Sequence, residues 1–519
     1  MTSLPNNWKE VKWNDITGID GFRRGPFGGN LKKSCFVDEG FAVYEQYAPI
    51  NNDCSSFRYF ITADKFEELS GFQVQGGDFL ISCSGTMGKI TCVPQQAPKG
   101  VINQALLRIR LQDKFIDSDY FLRLFKSPQV QSLVLNKSVG GAIQNLAAVK
   151  ELKEIPLPIA PLAEQKRIVE KLDEVLAQVA TIKARLDGIP ALLKRFRQSV
   201  LASAVSGKLT EEWRGSNFDG ESAQCLKANL SVSRFDFWKQ EQLEKFKSKG
   251  KLPKSDKWKE KYKPVIFVKS PELGTIPESW EWSSLEELSI VISDGDHNPP
   301  KKTSEGVRHL TVKNVNNGEI SFEGCAYVSE SGYAQTKLRY EAKTNDILLT
   351  CIGTVGRVAI VGEDTNFSTD RNLAYIRLCD ALDVKYMKFL LMSPMMQRFM
   401  SGGKVGNAQS ALYLKVIRAL PTPLAPLEEQ KEIVRLVDQY FAFADTIETQ
   451  VKKAQARVDN LTQSILAKAF RGELVPQDPN DEPAEKLLER IAEARKEAEA
   501  LAKAAKKAET ARKKAAKAK

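Results

Sequence analysis

Two short stretches of this chain come near patterns that do chemistry. CSGTMGKI at 83–90 approaches G-x-x-x-x-G-K-[ST], in which backbone N–H groups cradle phosphates and a hydroxyl holds magnesium. Cys83 stands where the first glycine belongs and Ile90 where the hydroxyl belongs, so the stretch reads as a turn between two buried strands. NPPK at 298–301 approaches an Asn-Pro-Pro-aromatic methyl-transfer motif, but Lys301 replaces the aromatic that stacks on an extruded base. No glycine-rich cofactor loop follows a strand. His297 and His309 are the only histidines, which leaves little material for imidazole acid–base chemistry, a Ser-His-Asp set or a histidine-rich metal site. The eight cysteines, at 35, 54, 83, 92, 225, 325, 351 and 379, form no C-x-x-C pair and read as reduced, mostly buried thiols. No nuclease-like cluster of Asp, Glu and Lys stands out. The expectation is a chain with no catalytic residues, no metal site and no cofactor of its own.

Binding chemistry is better represented. DGFRRGPFGGNLKKS (20–34) and SDGDHNPPKKTSEG (293–306) mix glycines, which let backbone approach a ligand closely, with cations that pair with phosphates or guanine edges. The net charge of +11 adds little, because residues 501–519 alone hold eight Lys/Arg against one Glu. With 42% apolar and 27% charged residues the chain fits a folded soluble protein. No apolar run of membrane-spanning length and no secretory leader pattern is present, which points to the cytoplasm.

The elements that position these loops occur twice. GDFLISCSGTMGKITCV (77–93) returns as NDILLTCIGTVGRVAIV (345–361). IPLPIAPLAEQKRIVEKLDEVLA (155–177) returns as LPTPLAPLEEQKEIVRLVDQYFA (420–442), and SVLASAVSGKLT (199–210) as SILAKAFRGELV (464–475), both offset by 265 residues. Each copy runs from short β-type segments into a long helix with a 3.5-residue apolar period: Ile168, Leu172, Val175, Val179 onward to Val200, and Ile433, Val437, Tyr440, Ala444 onward to Ile465. Pro161 and Pro426 open the helices and Gly207 and Gly472 close them. Gly188 and Pro190 should kink or interrupt the first. At about 1.5 Å per residue each helix reaches about 65 Å, and antiparallel pairing would relate the copies by a pseudo-twofold axis. The expected fold is α+β: a first mixed domain (1–155), a helix (156–210), a linker (211–275), a second mixed domain (276–420), a second helix (421–475), and an Ala/Lys-rich tail (476–519), helical or disordered and lacking an apolar face.

If the two domains read different half-sites, residues shared between copies should hold the fold or grip phosphates, and divergent ones should discriminate. Thr86 and Lys89, matched by Thr354 and Arg357, belong to the shared class, as do Gln144 and Gln409, and Ser84 in the first copy of the turn is added to them. Arg23, Arg24, Lys32 and Lys33 against His297, Lys301, Lys302, Lys313 and Asn314 are the divergent set, and together these are the expected DNA contacts.

In PLAEQKRIV, PLEEQKEIV, GKLTEEWR and AFRGELVPQDPNDEPAEKLLERI, taken in this order along essentially the whole chain, the sequence resembles the specificity subunits of type I restriction-modification systems. That resemblance implies two target-recognition domains reading an asymmetric bipartite DNA site. It implies two modification subunits docked on the helices and two motor-nuclease restriction subunits, with S-adenosylmethionine, ATP and magnesium held on those partners. Glu164, Lys166 and Arg167 are expected at the docking surface. A coiled-coil scaffold spacing two protein-binding domains is the alternative, and a self-contained restriction-methylation enzyme is disfavoured by the missing motifs.

Overall fold

The computed structural model describes residues 4–26, 28–112, 114–135, 146–217, 221–251, 253, 255–268, 273–316, 318–402 and 411–517. Four long helices mark the chain: α1 (Leu162–Val205), α2 (Ala223–Ser248), α3 (Leu427–Ala469) and α4 (Ala484–Lys517). Strands β1 (Thr17–Arg24), β2 (Phe79–Ser82), β3 (Ile90–Cys92) and β4 (Leu106–Leu111) form one antiparallel sheet in the order β1-β4-β2-β3. Strands β5 (Ser289–Asp294), β6 (Ile347–Thr350), β7 (Val358–Ile360) and β8 (Leu373–Leu378) repeat that order as β5-β8-β6-β7. The α+β class and the internal duplication are as expected. None of the described helices is long and apolar enough to cross a membrane.

The chain divides into two compact units, Met1–Asp187 with Lys452–Lys519, and Gly188–Val451. In the first, Phe79, Ile81, Leu107 and Ile109 alternate inward from the sheet onto Phe121, Leu124 and Phe125 of the helix Ser118–Lys126. The same core takes in Ile168 and Leu172 from α1, Ile465 and Leu466 from α3, Phe470 just after it, and Ala484, Leu487 and Ile491 from α4. A five-stranded second sheet, in the order 36–37, 60–61, 41–44, 100–102, 73–74, has apolar clusters of its own around Tyr44 and Ile61. Lys9–Lys12 pairs antiparallel with Pro156–Ile159, joining the entry of the domain to its exit. The prolines are tolerated because this ribbon has only two strands.

The second unit repeats the plan with Ile347, Leu349, Ala374 and Ile376 against Tyr386, Met387 and Leu390, and with Leu226, Ile433 and Val437 in the same core. Glu281–Ser284 pairs with Pro421–Leu424, and a four-stranded second sheet runs 302–303, 326–328, 307–310, 367–369.

Within each unit α1 and α3 run antiparallel. In the first unit Lys183 meets Asp459 at 2.5 Å and Gln455 donates to Asp187 at 2.7 Å. In the second, Arg197 reaches Asp445 and Glu448, and Phe196 meets Tyr440 edge-on. Each step forward on α1 is matched by one backward on α3. α1 continues through Pro190, so the expected interruption does not occur. Proline costs a helix interior about 3 kcal/mol, and buried Leu193 and Val200 hold the following turns in place. The apolar seam is unevenly covered: Ile182 and Leu461 are about half exposed, and Tyr440 is 40% exposed.

Two further sequence expectations need correction. The stretch 211–275 is more than a linker, because Ser222 caps α2 and Ala223, Leu226 and Leu230 are buried. The tail does have an apolar face at its start, where Ala484, Leu487 and Ile491 are buried. The two helices dock alike: the Ala223 N–H donates to the Ser279 carbonyl in the second unit, and the Ala484 N–H to the Asn7 carbonyl in the first.

Candidate nucleic-acid interface

The shared turn is a rigid hairpin tip. Gly85 and Gly88 have φ of +64° and +72°, and Gly353 and Gly356 have +80° and +95°, a left-handed backbone that glycine adopts without strain. The Gly88 N–H donates to the Ser82 carbonyl at 2.9 Å and the Lys89 N–H to Ser82 Oγ at 3.0 Å. In the second copy Gly356 and Arg357 use Thr350 in the same way. Gln131 and Gln397, each from a neighbouring helix, donate to the carbonyls of Gly88 and Gly356. Thr86, Lys89, Thr354 and Arg357 are exposed at the tips and Ser84 is half-buried. Arg357 donates to Asn316 Oδ1. Gln144 and Gln409 lie outside the described residues.

Behind each hairpin a buried aspartate fixes the sheet. Asp78 receives both Arg110 Nε and Nη2, at 2.6 and 2.8 Å; Asp346 receives Arg377 Nε and Nη2, at 2.8 and 2.9 Å. With LLRIRL (106–111) aligned to LAYIRL (373–378), Arg24, opposite Leu107, is the counterpart of Asp294, opposite Ala374. The copies therefore carry opposite charges at one position. Arg24 reaches the Leu146 carbonyl at 3.4 Å. Asp294 is gripped by His297 Nε2 at 2.8 Å and by Arg339. Burial works to raise the Asp294 carboxyl, but hydrogen bonds from Arg339 and His297 outweigh it and hold it below the usual aspartate range.

The other expected contacts divide by position. Lys32, Lys33, Lys301, Lys302 and Lys313 are exposed, as free cations near a phosphate should be. Arg23 is half-buried, pairs with Asp20 at 2.7 Å and lies over the Phe72 ring. Asn314 is placed inside the fold: its Oδ1 accepts from the Thr311 N–H and its Nδ2 donates to the Ser321 carbonyl, leaving little to offer a base. Sequence reasoning missed Arg58, which shares a groove of about 440 Å3 with Lys33, and Arg339, 45 residues from Asp294. Neither stood in a glycine-rich loop, and only folding brings each beside an expected contact.

The repeated Glu-Gln pair has a structural task. Glu164 accepts from Trp8 Nε1 at 3.0 Å and from Gln477 at 2.7 Å; Glu429 accepts from Trp280 Nε1 at 2.8 Å and from Thr210 at 2.6 Å. Gln165 donates to the Ala160 carbonyl and accepts from the Asp117 N–H, and Gln430 does the same with Ala425 and Asp383. Glu164 is thus a buried latch, and Arg167 pairs with Asp481; of the three expected docking residues only Lys166 is exposed without a partner shown here. Among the described residues no group of three or more His, Cys, Asp or Glu side chains could hold a metal ion.

The family model for the type I restriction modification DNA specificity domain matches residues 5–191 and 235–455. The chain is 34% identical over 438 residues to the type I restriction enzyme EcoBI specificity subunit of Escherichia coli, covering 82% of this chain and 81% of that one. It is 32% identical over 400 residues to the EcoKI specificity subunit of Escherichia coli K12, covering 74% and 73%. Among solved structures it is similar in fold to a chain from a study of assembly and conformational transition of the type I R-M system, with a TM-score of 0.58 and 17% identity over 91% of this chain and 100% of that one. The HsdS subunit from Thermoanaerobacter tengcongensis gives a TM-score of 0.51 at 17% identity, over 91% and 98%. A duplicated recognition fold latched to paired helices by Glu164 and Glu429, matched by a family model over most of its length, places this chain in the type I restriction modification DNA specificity family.

Proposed function

We propose that this chain is the DNA sequence-specificity subunit of a type I restriction-modification complex, each of its two domains reading one half of an asymmetric bipartite target. The observation that carries the reading is the opposite charge at Arg24 and Asp294. Two copies of one fold keep the same hairpin and the same buried Asp–Arg pair while inverting the chemistry beside them, as readers of different half-sites must. The chain docks two modification subunits through its helices. Ile182, Leu192, Phe443 and Leu461, apolar side chains of α1 and α3 that stay about half exposed, support that surface. Two restriction subunits complete the complex; S-adenosylmethionine, ATP and magnesium belong to these partners, and the assembly works in the cytoplasm. The test is a domain exchange. Replacing residues 1–155 with the corresponding domain of a relative and mapping adenine methylation in cells carrying all three subunits should change one half-site and leave the other. A change in both halves overturns the two-reader model.

A further inference from the structure

We propose that Arg58 and Glu45 are specificity determinants of the first domain, reading one G·C pair from its major-groove edge, with Arg58 donating to the guanine and Glu45 accepting from the cytosine amine. The inference rests on the DNA-reading function proposed above and assigns residues outside the loops that the sequence singled out. Arg58 is exposed, and among the described residues no carboxylate lies within ion-pair distance of it. Its guanidinium lies 4.9 Å from the centroid of the Tyr59 ring, which itself stacks on Phe36 at 4.3 Å and 17°. An arginine whose guanidinium lies over an aromatic ring is restrained by it, which favours the bidentate contact with guanine O6 and N7. Grooves open on both sides of it, one of about 440 Å3 with Lys33 and one of about 340 Å3 with Glu45 and Tyr47. Burial raises the Glu45 carboxyl above the usual glutamate range and Arg58 offsets part of that; neither group is neutralised by a direct ion pair. Arginine and glutamate flanking one groove present donors and an acceptor side by side, the complement of a G·C edge. Lys33 beside them is placed for the adjoining phosphate.

The test maps adenine methylation in cells carrying the intact system with wild-type, Arg58→Lys, Arg58→Ala or Glu45→Gln chains. Arg58→Lys keeps the charge but loses the fork, and it guards against a variant that fails to assemble. The expected result is relaxation at a single G·C position of the half-site set by residues 1–155, with discrimination there falling roughly 5- to 150-fold and the other half-site unchanged. An unchanged consensus in Arg58→Lys and Glu45→Gln overturns the inference, as does a uniform loss at every position. A wild-type system that yields no bipartite motif would instead refute the DNA-reading function itself.

Discussion

Gly472, at the end of α3, lies against Pro5, at the entry of the first domain, so closely that a Cβ on the glycine would come within 2.3 Å of the proline ring. Gly207, at the end of α1, meets Pro277 in the same way at 2.4 Å. Both glycines hold a left-handed backbone, with φ of +74° and +76°. Each domain is therefore sealed by the helix that follows the other domain in sequence. Gly472→Ala and Gly207→Ala should each destabilise the unit that contains them by at least the roughly 1–3 kcal/mol of a strained left-handed alanine, with the steric clash adding to it. Differential scanning calorimetry of the full chain should show a lowered transition in both variants.

Glu164 supplies a pH-dependent contribution. Burial raises its carboxyl above the usual glutamate range, against the opposing hydrogen bonds from Trp8 and Gln477. A carboxyl raised in the folded state contributes stability that is full below its unfolded value, about 4.3, and is lost as pH rises through the folded value. Relative to Glu164→Gln, the wild type should therefore lose urea resistance between pH 4.5 and pH 8. Parallel urea midpoints for the two chains at both pH values would refute this.

The anchored start of α4 is separable from its remainder. Leu487 and Ile491 are buried in the first unit, whereas Leu501 is 71% exposed. Leu487→Ala should cost roughly 2–5 kcal/mol. Ending the chain after Ala500 should leave the melting profile unchanged, and ending it after Pro483 should expose the first unit, but not the second, to limited proteolysis.

What was legible in the sequence was whatever repeats at short range. The hairpin glycines, the 3.5-residue helical period and the duplication survive as strings because local geometry demands particular residue types at fixed spacing. The Glu-Gln motif was visible as a motif but not as a latch, because the partners of Glu164 lie 156 and 313 residues away at Trp8 and Gln477. The docking helices were missed for a related reason. Ala-x-x-Leu-x-x-x-Leu at 223–230 and its counterpart Ala484, Leu487 and Ile491 make a stripe of only three residues, diluted by charged sequence that follows. In the recognition domains, loop composition pointed to exposed Lys32, Lys33, Lys301 and Lys302. It gave no hint that Asn314 turns inward or that Arg58 stands beside Lys33, since Asn314 is turned in by its bonds to Thr311 and Ser321 and Arg58 is carried to Lys33 by the pairing of 60–61 with 36–37.

Asp346 is 1% exposed and takes the guanidinium of Arg377, the Tyr340 hydroxyl and the Lys343 N–H. Removing the cation leaves a carboxylate in the core, so Arg377→Ala should cost roughly 3–5 kcal/mol, as should Arg110→Ala beside Asp78. Replacing both members of one pair with apolar residues of similar volume should recover much of that loss in chemical denaturation.

The shared hairpin tips should behave as phosphate grips, unlike Arg58. Lys89 is exposed with no acidic partner shown, whereas Arg357 is already tied to Asn316. Both residues recur in copies that otherwise diverge, so any DNA contact they make should be independent of sequence. Lys89→Ala should lower the slope of log affinity against log salt by about 0.9 while leaving the preference for each base unchanged. Arg357→Ala should lower it by less, since its guanidinium must leave Asn316 to reach a phosphate. Fluorescence anisotropy with specific and random duplexes across a salt series measures both quantities. A shift in base preference with either variant would move these residues from the gripping class to the discriminating one.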